Sequence, residues 1–262
     1  MKMQEPLLYH EVHGTQGPFI LLVHGMISSR AQWTPNLETL KTFGRPVIME
    51  LFGHGRSPSP EDPQCYTPDN YVNEFERIRS KLGVDRWFLC GQSLGASITL
   101  RYALYHPERI IAQIFTNSQS ALSDHTWDDA LNLFSQRLKE EGHKLIETLP
   151  LHPSHSRHLK PEIKDALVED AKLIDVQGFC NTLLNTVAKC SVREIINKNQ
   201  IPTLLIVGKH DKQFSPYYEY AQQNMPELEV LVLDGGHAVN IDAAEHFNKA
   251  VQDFIERFIH AS

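Results

Sequence analysis

The sequence of 262 residues contains only four cysteines, and none of them forms a CxxC pair. They are Cys65, Cys90, Cys180 and Cys190, and their wide spacing predicts free thiols rather than a disulfide framework. No run of eighteen apolar residues is present, so no membrane-spanning helix is expected. Residues 1–14 lack the apolar centre of a secretory signal. These absences together predict a cytoplasmic protein.

Positive charge is also scarce, because 25 Lys and Arg residues stand against 32 Asp and Glu residues, for a formal net charge of −7. This balance is poorly suited to a polyanion, so nucleic acid is not expected as a partner. Five histidines between positions 125 and 158 match no zinc-binding pattern and have no cysteine among them. We therefore expect no metal and no cofactor, and a small-molecule substrate as the partner. The sequence indicates no oligomeric state.

Short apolar runs alternate along the chain with segments of helical periodicity. Apolar residues make up 41% of the sequence, which is enough for a substantial core. Seven runs are predicted to be strands, at 7–12, 19–23, 46–50, 87–89, 110–116, 201–208 and 228–233. Continuous apolar runs are typical of parallel strands that are covered on both faces. The alternation predicts an α/β fold with a doubly wound, mostly parallel sheet.

Residues 120–199 interrupt this alternation, because they contain no convincing strand. An apolar stripe that includes Trp127 and Phe134 predicts one amphipathic helix, and two more helices are predicted further along the segment. A helical insertion between core strands is expected to cover the sheet edge where ligands bind in open α/β sheets. We therefore predict a core of residues 1–119 and 200–262 with a helical cap of residues 120–199. Trp127 and Phe134 are the candidate substrate contacts.

A serine lies between two glycines at the junction of a predicted strand and a predicted helix, in Gly91-Gln92-Ser93-Leu94-Gly95. Glycines at such a turn let the strand and the helix approach closely, and they leave the serine hydroxyl exposed at the tip of the sheet. The first N–H groups of the following helix point to the same place. This pattern predicts that Ser93 is a nucleophile.

A serine hydroxyl needs a base to remove its proton, and the base is commonly a histidine oriented by a carboxylate. His237 follows the last predicted strand, and Asp211 follows the strand before it. Both loops are expected at the same edge of the sheet as Ser93. Asp211 is therefore the candidate acid, with Asp234 as its rival. Asn117 ends an earlier strand where some sites carry the acid, but it is not ionisable.

With these residues, the chain resembles the α/β-hydrolase superfamily over nearly its full length. The resemblance implies that Ser93 is the nucleophile, Asp211 the acid and His237 the base. It also implies a cap inserted after the sixth family strand. The turn that ends at Met26 resembles the oxyanion loop of the family. The backbone N–H groups of Met26 and Leu94 would accordingly hold the oxyanion.

Two departures from the family pattern are visible in the sequence. Ala96 stands where many relatives have a second glycine, so the packing behind the serine is expected to be slightly tighter. We predict seven strands, whereas the family has about eight, with the loss at the N-terminal edge. Neither departure involves the three candidate catalytic residues.

Three functions are compatible with these motifs. The first is a serine hydrolase of small esters, thioesters or lactones. The second is a carbon–carbon bond hydrolase or lyase that acts on a carboxylate-bearing substrate. An arginine facing the pocket would favour this second hypothesis, and the candidates are Arg30, Arg56, Arg137 and Arg157. The third is a small-ligand receptor that retains the fold without useful turnover.

Overall fold

A sheet of seven strands lies at the centre of the structure, a computed structural model that describes residues 7–124, 128–156 and 159–259. The strands are β1 (His10–Val12), β2 (Phe19–Val23), β3 (Arg45–Met49), β4 (Trp87–Gly91), β5 (Ile110–Thr116), β6 (Thr203–Gly208) and β7 (Leu228–Leu233). They lie in the order β1-β3-β2-β4-β5-β6-β7. Strand β1 pairs antiparallel with β3, and the other neighbouring strands of the described sheet are parallel. The predicted mostly parallel sheet is confirmed.

Helices connect the strands and cover the sheet. They are α1 (Thr34–Phe43), α2 (Pro68–Lys81), α3 (Leu94–Tyr105), α4 (Gln119–Leu122), α5 (Asp128–Glu141), α6 (His143–Thr148), α7 (Pro161–Ala171), α8 (Val176–Asn181), α9 (Ser215–Asn224), α10 (Val239–Asp242) and α11 (Ala244–Ile259). None of the helices in the described part of the chain is both long enough and apolar enough to cross a membrane.

Both faces of the central strands are buried, which explains why their sequences are largely apolar. Successive residues of a strand point to opposite faces. Leu21 of β2 accordingly packs in the same cluster as Phe75 of α2. The next residue, Leu22, packs in a second cluster with Phe254 of α11. The sheet is therefore doubly wound, and the ends of its parallel strands remain available for a site.

The chain between β5 and β6 is helical, with no strand among its described residues. Helices α5 to α8 contribute to a hydrophobic cluster of their own, which contains Leu138, Phe179 and Leu183. Ile27, in the loop after β2, joins the same cluster. In contrast, Leu122 of α4 packs with residues of α3 and β5. Helices α5 to α8 thus form a small core of their own, and the loop after β2 is one of the places where this segment contacts the sheet domain.

Candidate active site

Ser93 occupies the sharp turn between β4 and α3, with φ 52° and ψ −116°. A positive φ is unfavourable for a residue with a side chain, and such strain persists only where the surroundings enforce it. The glycines on either side allow the surrounding backbone to hold Ser93 in this conformation. A Cβ atom on Gly95 would lie 2.2 Å from the carbonyl oxygen of Val23, and one on Gly91 would lie 2.3 Å from Oγ1 of Thr99. The close approach of strand and helix therefore requires glycine at both positions.

The structure brings the three predicted side chains into one hydrogen-bonded chain. Oγ of Ser93 lies 2.9 Å from Nε2 of His237. Nδ1 of the same imidazole lies 2.7 Å from Oδ2 of Asp211. The three residues follow β4, β7 and β6, whose carboxyl ends meet at one edge of the parallel sheet. This geometry can transfer a proton from the hydroxyl to an imidazole that the carboxylate orients.

Asp211 is held in a largely buried, hydrogen-bonded environment, and its side chain is 10% exposed. The amide Nδ2 of Asn117 donates to Oδ2 of Asp211 over 2.9 Å, while Oδ1 of Asn117 accepts from the N–H of Gly208 over 3.0 Å. Burial by itself would raise the pKa of Asp211, but hydrogen bonds from His237 and Asn117 outweigh it and hold this pKa below its usual value. Sequence reasoning treated Asn117 only as a rival position and missed this contact.

The rival acid, Asp234, faces away from the candidate base. Its side chain is 81% exposed. Its Oδ1 lies 2.8 Å from Nε2 of His210, and Nζ of Lys209 is 3.9 Å away. Among the described residues, His237 therefore takes Asp211 as its carboxylate partner. The sequence favoured Asp211 and kept Asp234 as a rival, because both follow strands at the same edge.

The two predicted oxyanion donors belong to segments that pack against Ser93. Leu94 is the first residue of α3, so its N–H has no carbonyl partner one turn earlier in the helix. Met26 lies in the loop after β2 and borders the same cavity as Ser93. The neighbouring Gly25 is so close that a Cβ atom there would lie 3.0 Å from Cβ of Ser93. Its N–H donates to Oε1 of Gln32 over 3.2 Å, which fixes the loop.

Ser93 and His237 open onto a cavity of about 330 Å³. This volume is at the lower end of the range of ligand pockets, which is about 300–1,000 Å³. The loop after β2 forms part of the wall, and residues 150–167 contribute another part, including Leu151, Leu159 and Leu167. The described lining contains no lysine or arginine. The site therefore suits a small, mainly apolar molecule.

Of the two predicted substrate contacts, Phe134 is not brought into this cavity. Phe134 packs against the hydrophobic cluster of α5 to α8 and is not part of the cavity lining. Trp127 lies outside the described residues. Amphipathic periodicity placed the half-buried Phe134 on the packed face of its helix, but it did not distinguish packing between helices from contact with a ligand. Instead, the cavity takes His152 and His155 from this part of the chain.

Comparisons with known proteins agree with this architecture. The sequence profile described as alpha/beta hydrolase fold matches residues 18–244. The chain is 28% identical to RutD of Rhizobium rhizogenes, over 95% of this chain and 97% of that protein. The name of that relative assigns it provisionally as a carbamate hydrolase. It is 23% identical to 3-oxoadipate enol-lactonase 1 of Acinetobacter baylyi, over 94% of this chain and 92% of the relative.

The crystal structure of an enol-lactonase from Burkholderia xenovorans has the same fold. It superposes with a TM-score of 0.80 at 21% identity, and the match covers 95% of this chain and 96% of that one. At this identity the likeness concerns the fold alone. The matched family profile, however, spans far more than half of the sequence. The chain therefore belongs to the alpha/beta hydrolase fold family.

Proposed function

We propose that the protein is a serine hydrolase that cleaves a small carboxylic ester, thioester or lactone. The observation that carries this proposal is the hydrogen-bonded chain from Ser93 through His237 to Asp211, which opens onto a small cavity. His237 takes the proton of Ser93 at Nε2 while Oγ attacks the substrate carbonyl carbon. Asp211 keeps the other ring proton on Nδ1 and stabilises the imidazolium that forms.

Two backbone N–H groups complete this mechanism. As the carbonyl carbon becomes tetrahedral, its oxygen gains negative charge, and the N–H groups of Met26 and Leu94 donate to it. His237 then returns the proton to the departing alcohol, thiol or ring oxygen, which leaves an acyl group on Ser93. A water molecule that His237 activates attacks this ester and releases the acid. The hydroxyl of Ser93 and the neutral imidazole of His237 are thereby restored.

We further propose that residues 120–199 act as a cap over the core of residues 1–119 and 200–262. In support, Leu151 and Leu159 line the cavity that contains Ser93. Helices α5 to α8 of this segment contribute to a hydrophobic cluster that differs from the clusters around the sheet. The cap would set which acyl and alcohol groups enter, while the core would supply the reacting groups.

The carbon–carbon hydrolase or lyase hypothesis has less support. It requires a cation that binds the substrate carboxylate. Arg30, Arg56 and Arg137 each bind carboxylates of the protein itself, and none of them is part of the described cavity lining. Arg157 lies outside the described residues. The described site is therefore better suited to an uncharged ester or lactone.

A serine-directed phosphonate and a short p-nitrophenyl ester test the proposal. Wild-type protein should take up one label per chain and release a burst of nitrophenolate, since acylation precedes hydrolysis. Ser93→Ala should lose both, whereas Ser80→Ala, at an exposed position of α2, should retain both. Labelling that persists in Ser93→Ala would place the nucleophile elsewhere. Binding of the ester without burst or turnover would instead favour the receptor hypothesis.

A further inference from the structure

Two of the described histidines in residues 150–167 line the cavity, and their environments differ. His152 is 5% exposed, whereas His155 is an exposed residue. Their ring centroids are 6.1 Å apart in an edge-to-face arrangement. Nε2 of His155 lies 2.7 Å from the carbonyl oxygen of Glu147, so that ring donates to the protein itself. His152 is therefore the better candidate for a contact with a ligand.

The hydrogen bonds of His152 define which of its nitrogens carries the proton. Its Nδ1 accepts from the backbone N–H of Ser154 over 3.3 Å and lies 2.7 Å from Oγ of the same residue. A ring nitrogen that accepts from an amide has no proton, so the proton of the neutral ring is on Nε2. Burial, with the nearby His155, lowers the pKa of His152 and favours this neutral form. His152 therefore presents Nε2–H as a donor.

This donor belongs to a residue that lines the same cavity as Ser93. Within the described residues, Nε2 of His152 has no hydrogen-bond partner, and it is not a sealed, unsatisfied atom. His152 is part of the cavity wall, so a ligand in the cavity can reach this ring. Two other side-chain donors of the lining are already used. Nε2 of Gln92 donates to the carbonyl oxygen of His237 over 3.1 Å, and Oγ of Ser28 donates to Gln32 over 2.8 Å.

The substrate must supply an acceptor for this group. We propose that Nε2–H of His152 binds an uncharged oxygen of the substrate, such as a ketone, an ether or a second ester carbonyl, apart from the bond that is cleaved. Asp242 also lines the cavity, and no lysine or arginine does so among the described residues. An acidic neighbour without a cation disfavours a carboxylate at this place. This inference rests on the proposed serine hydrolase function and specifies its substrate class.

The test compares esters that differ only in the acceptor. One pair is p-nitrophenyl 4-oxopentanoate and p-nitrophenyl 4-methylpentanoate, in which a ketone replaces a branched carbon of similar shape. A second pair, 2-methoxyethyl butanoate and butyl butanoate, places the acceptor in the alcohol. His152→Phe keeps a ring but removes the donor. The preference is the kcat/KM of the acceptor-bearing ester divided by that of its partner. We expect His152→Phe to lower this preference about tenfold or more in one pair, because a buried donor favours a substrate that supplies its acceptor.

Three further variants sharpen this comparison. His152→Gln keeps a donor and should retain most of the preference. His155→Phe should leave the preference within about twofold of the wild-type value, since Nε2 of that ring already donates to the carbonyl oxygen of Glu147. His152→Leu replaces the phenylalanine variant if the latter does not fold. Unchanged ratios in both ester pairs for a folded donor-free variant would overturn the inference. This includes the case in which both members of each pair lose activity equally.

Labelling with the phosphonate separates this inference from the proposed function. If wild-type protein is not labelled at Ser93, the serine hydrolase proposal itself fails. If Ser93 is labelled at the wild-type rate in the donor-free variant, that variant is folded and its nucleophile is intact. A preference that remains unchanged in such a protein would then reject only the role of His152.

Discussion

The side-chain amide of Asn117 donates to Oδ2 of Asp211, the same oxygen that lies 2.7 Å from Nδ1 of His237. The next residue, Ser118, donates its hydroxyl to the carbonyl oxygen of Ser93 over 2.6 Å. The residues that follow β5 therefore bind both Asp211, the proposed acid, and the turn that carries Ser93, the proposed nucleophile. We infer that these two residues hold the separate loops of the site at a common geometry.

Asn117→Ala should lower kcat about tenfold to a hundredfold with little change in KM, since a hydrogen bond to a charged group contributes about 1.5–3 kcal/mol. The loss should arise because Asp211 becomes less well oriented toward His237. Steady-state kinetics with a p-nitrophenyl ester provide the measurement. A kcat within twofold of wild type in the folded variant would show that the contact is dispensable.

Asp211→Asn should lower kcat by up to about 10⁴-fold, because an amide partner favours the wrong imidazole tautomer. The matched control is Asp234→Asn, which changes an exposed carboxylate beside His210 and should retain near-normal activity. Both variants are compared by kcat and by the rate of phosphonate labelling at Ser93. An inactive Asp234→Asn with an active Asp211→Asn would reverse the assignment of the acid.

Helix α7 is tied to the core by Asp170, whose Oδ1 lies 2.8 Å from Nη2 of Arg56 and whose Oδ2 accepts from Oγ of Ser29 over 2.6 Å. Burial by itself would raise the pKa of Asp170, but the hydrogen bonds from Arg56 and Ser29 outweigh it and lower this pKa. A carboxyl group with a lowered folded-state pKa stabilises the fold above its unfolded pKa, which is about 3.9. That stabilisation is lost as the pH falls through the folded-state pKa.

Asp170→Asn should therefore reduce the free energy of unfolding at pH 7 by about 1–3 kcal/mol. The difference from wild type should close as the pH falls below about 4. Urea unfolding over this pH range provides the measurement. Asp165→Asn, at an exposed position of the same helix, is the control and should have little effect at any pH. A difference for Asp170→Asn that does not depend on pH would contradict the role of its charge.

Leu167 is 4% exposed and lines the cavity, so it limits the space available to an acyl chain. Leu167→Ala should raise kcat/KM for p-nitrophenyl octanoate relative to the butanoate, by about tenfold if the longer chain fills the new space. Leu173→Ala, at a position that is 49% exposed, should leave this ratio unchanged. A shift in Phe134→Ala equal to that in Leu167→Ala would place a substrate contact at Phe134, as the sequence predicts.

The sequence by itself determined the order of strands and helices and the turn that carries Ser93. Both are local properties. A strand buried on two faces is largely apolar, and the close approach at the turn excludes side chains at Gly91 and Gly95. Asp211 and His237 could also be selected as candidates, because each follows a parallel strand whose carboxyl end lies at the same edge.

Only the tertiary structure decided which groups meet across the site. Asn117 contacts Asp211 although they are 94 positions apart, and Arg56 contacts Asp170 across 114 positions. The position of His152 in the cavity wall likewise depends on the path of a loop. Periodicity indicates that a side chain such as Phe134 lies on a packed face, but not which surface it packs against. Such contacts are set by how separate elements pack in three dimensions, and spacing along the chain does not encode that packing.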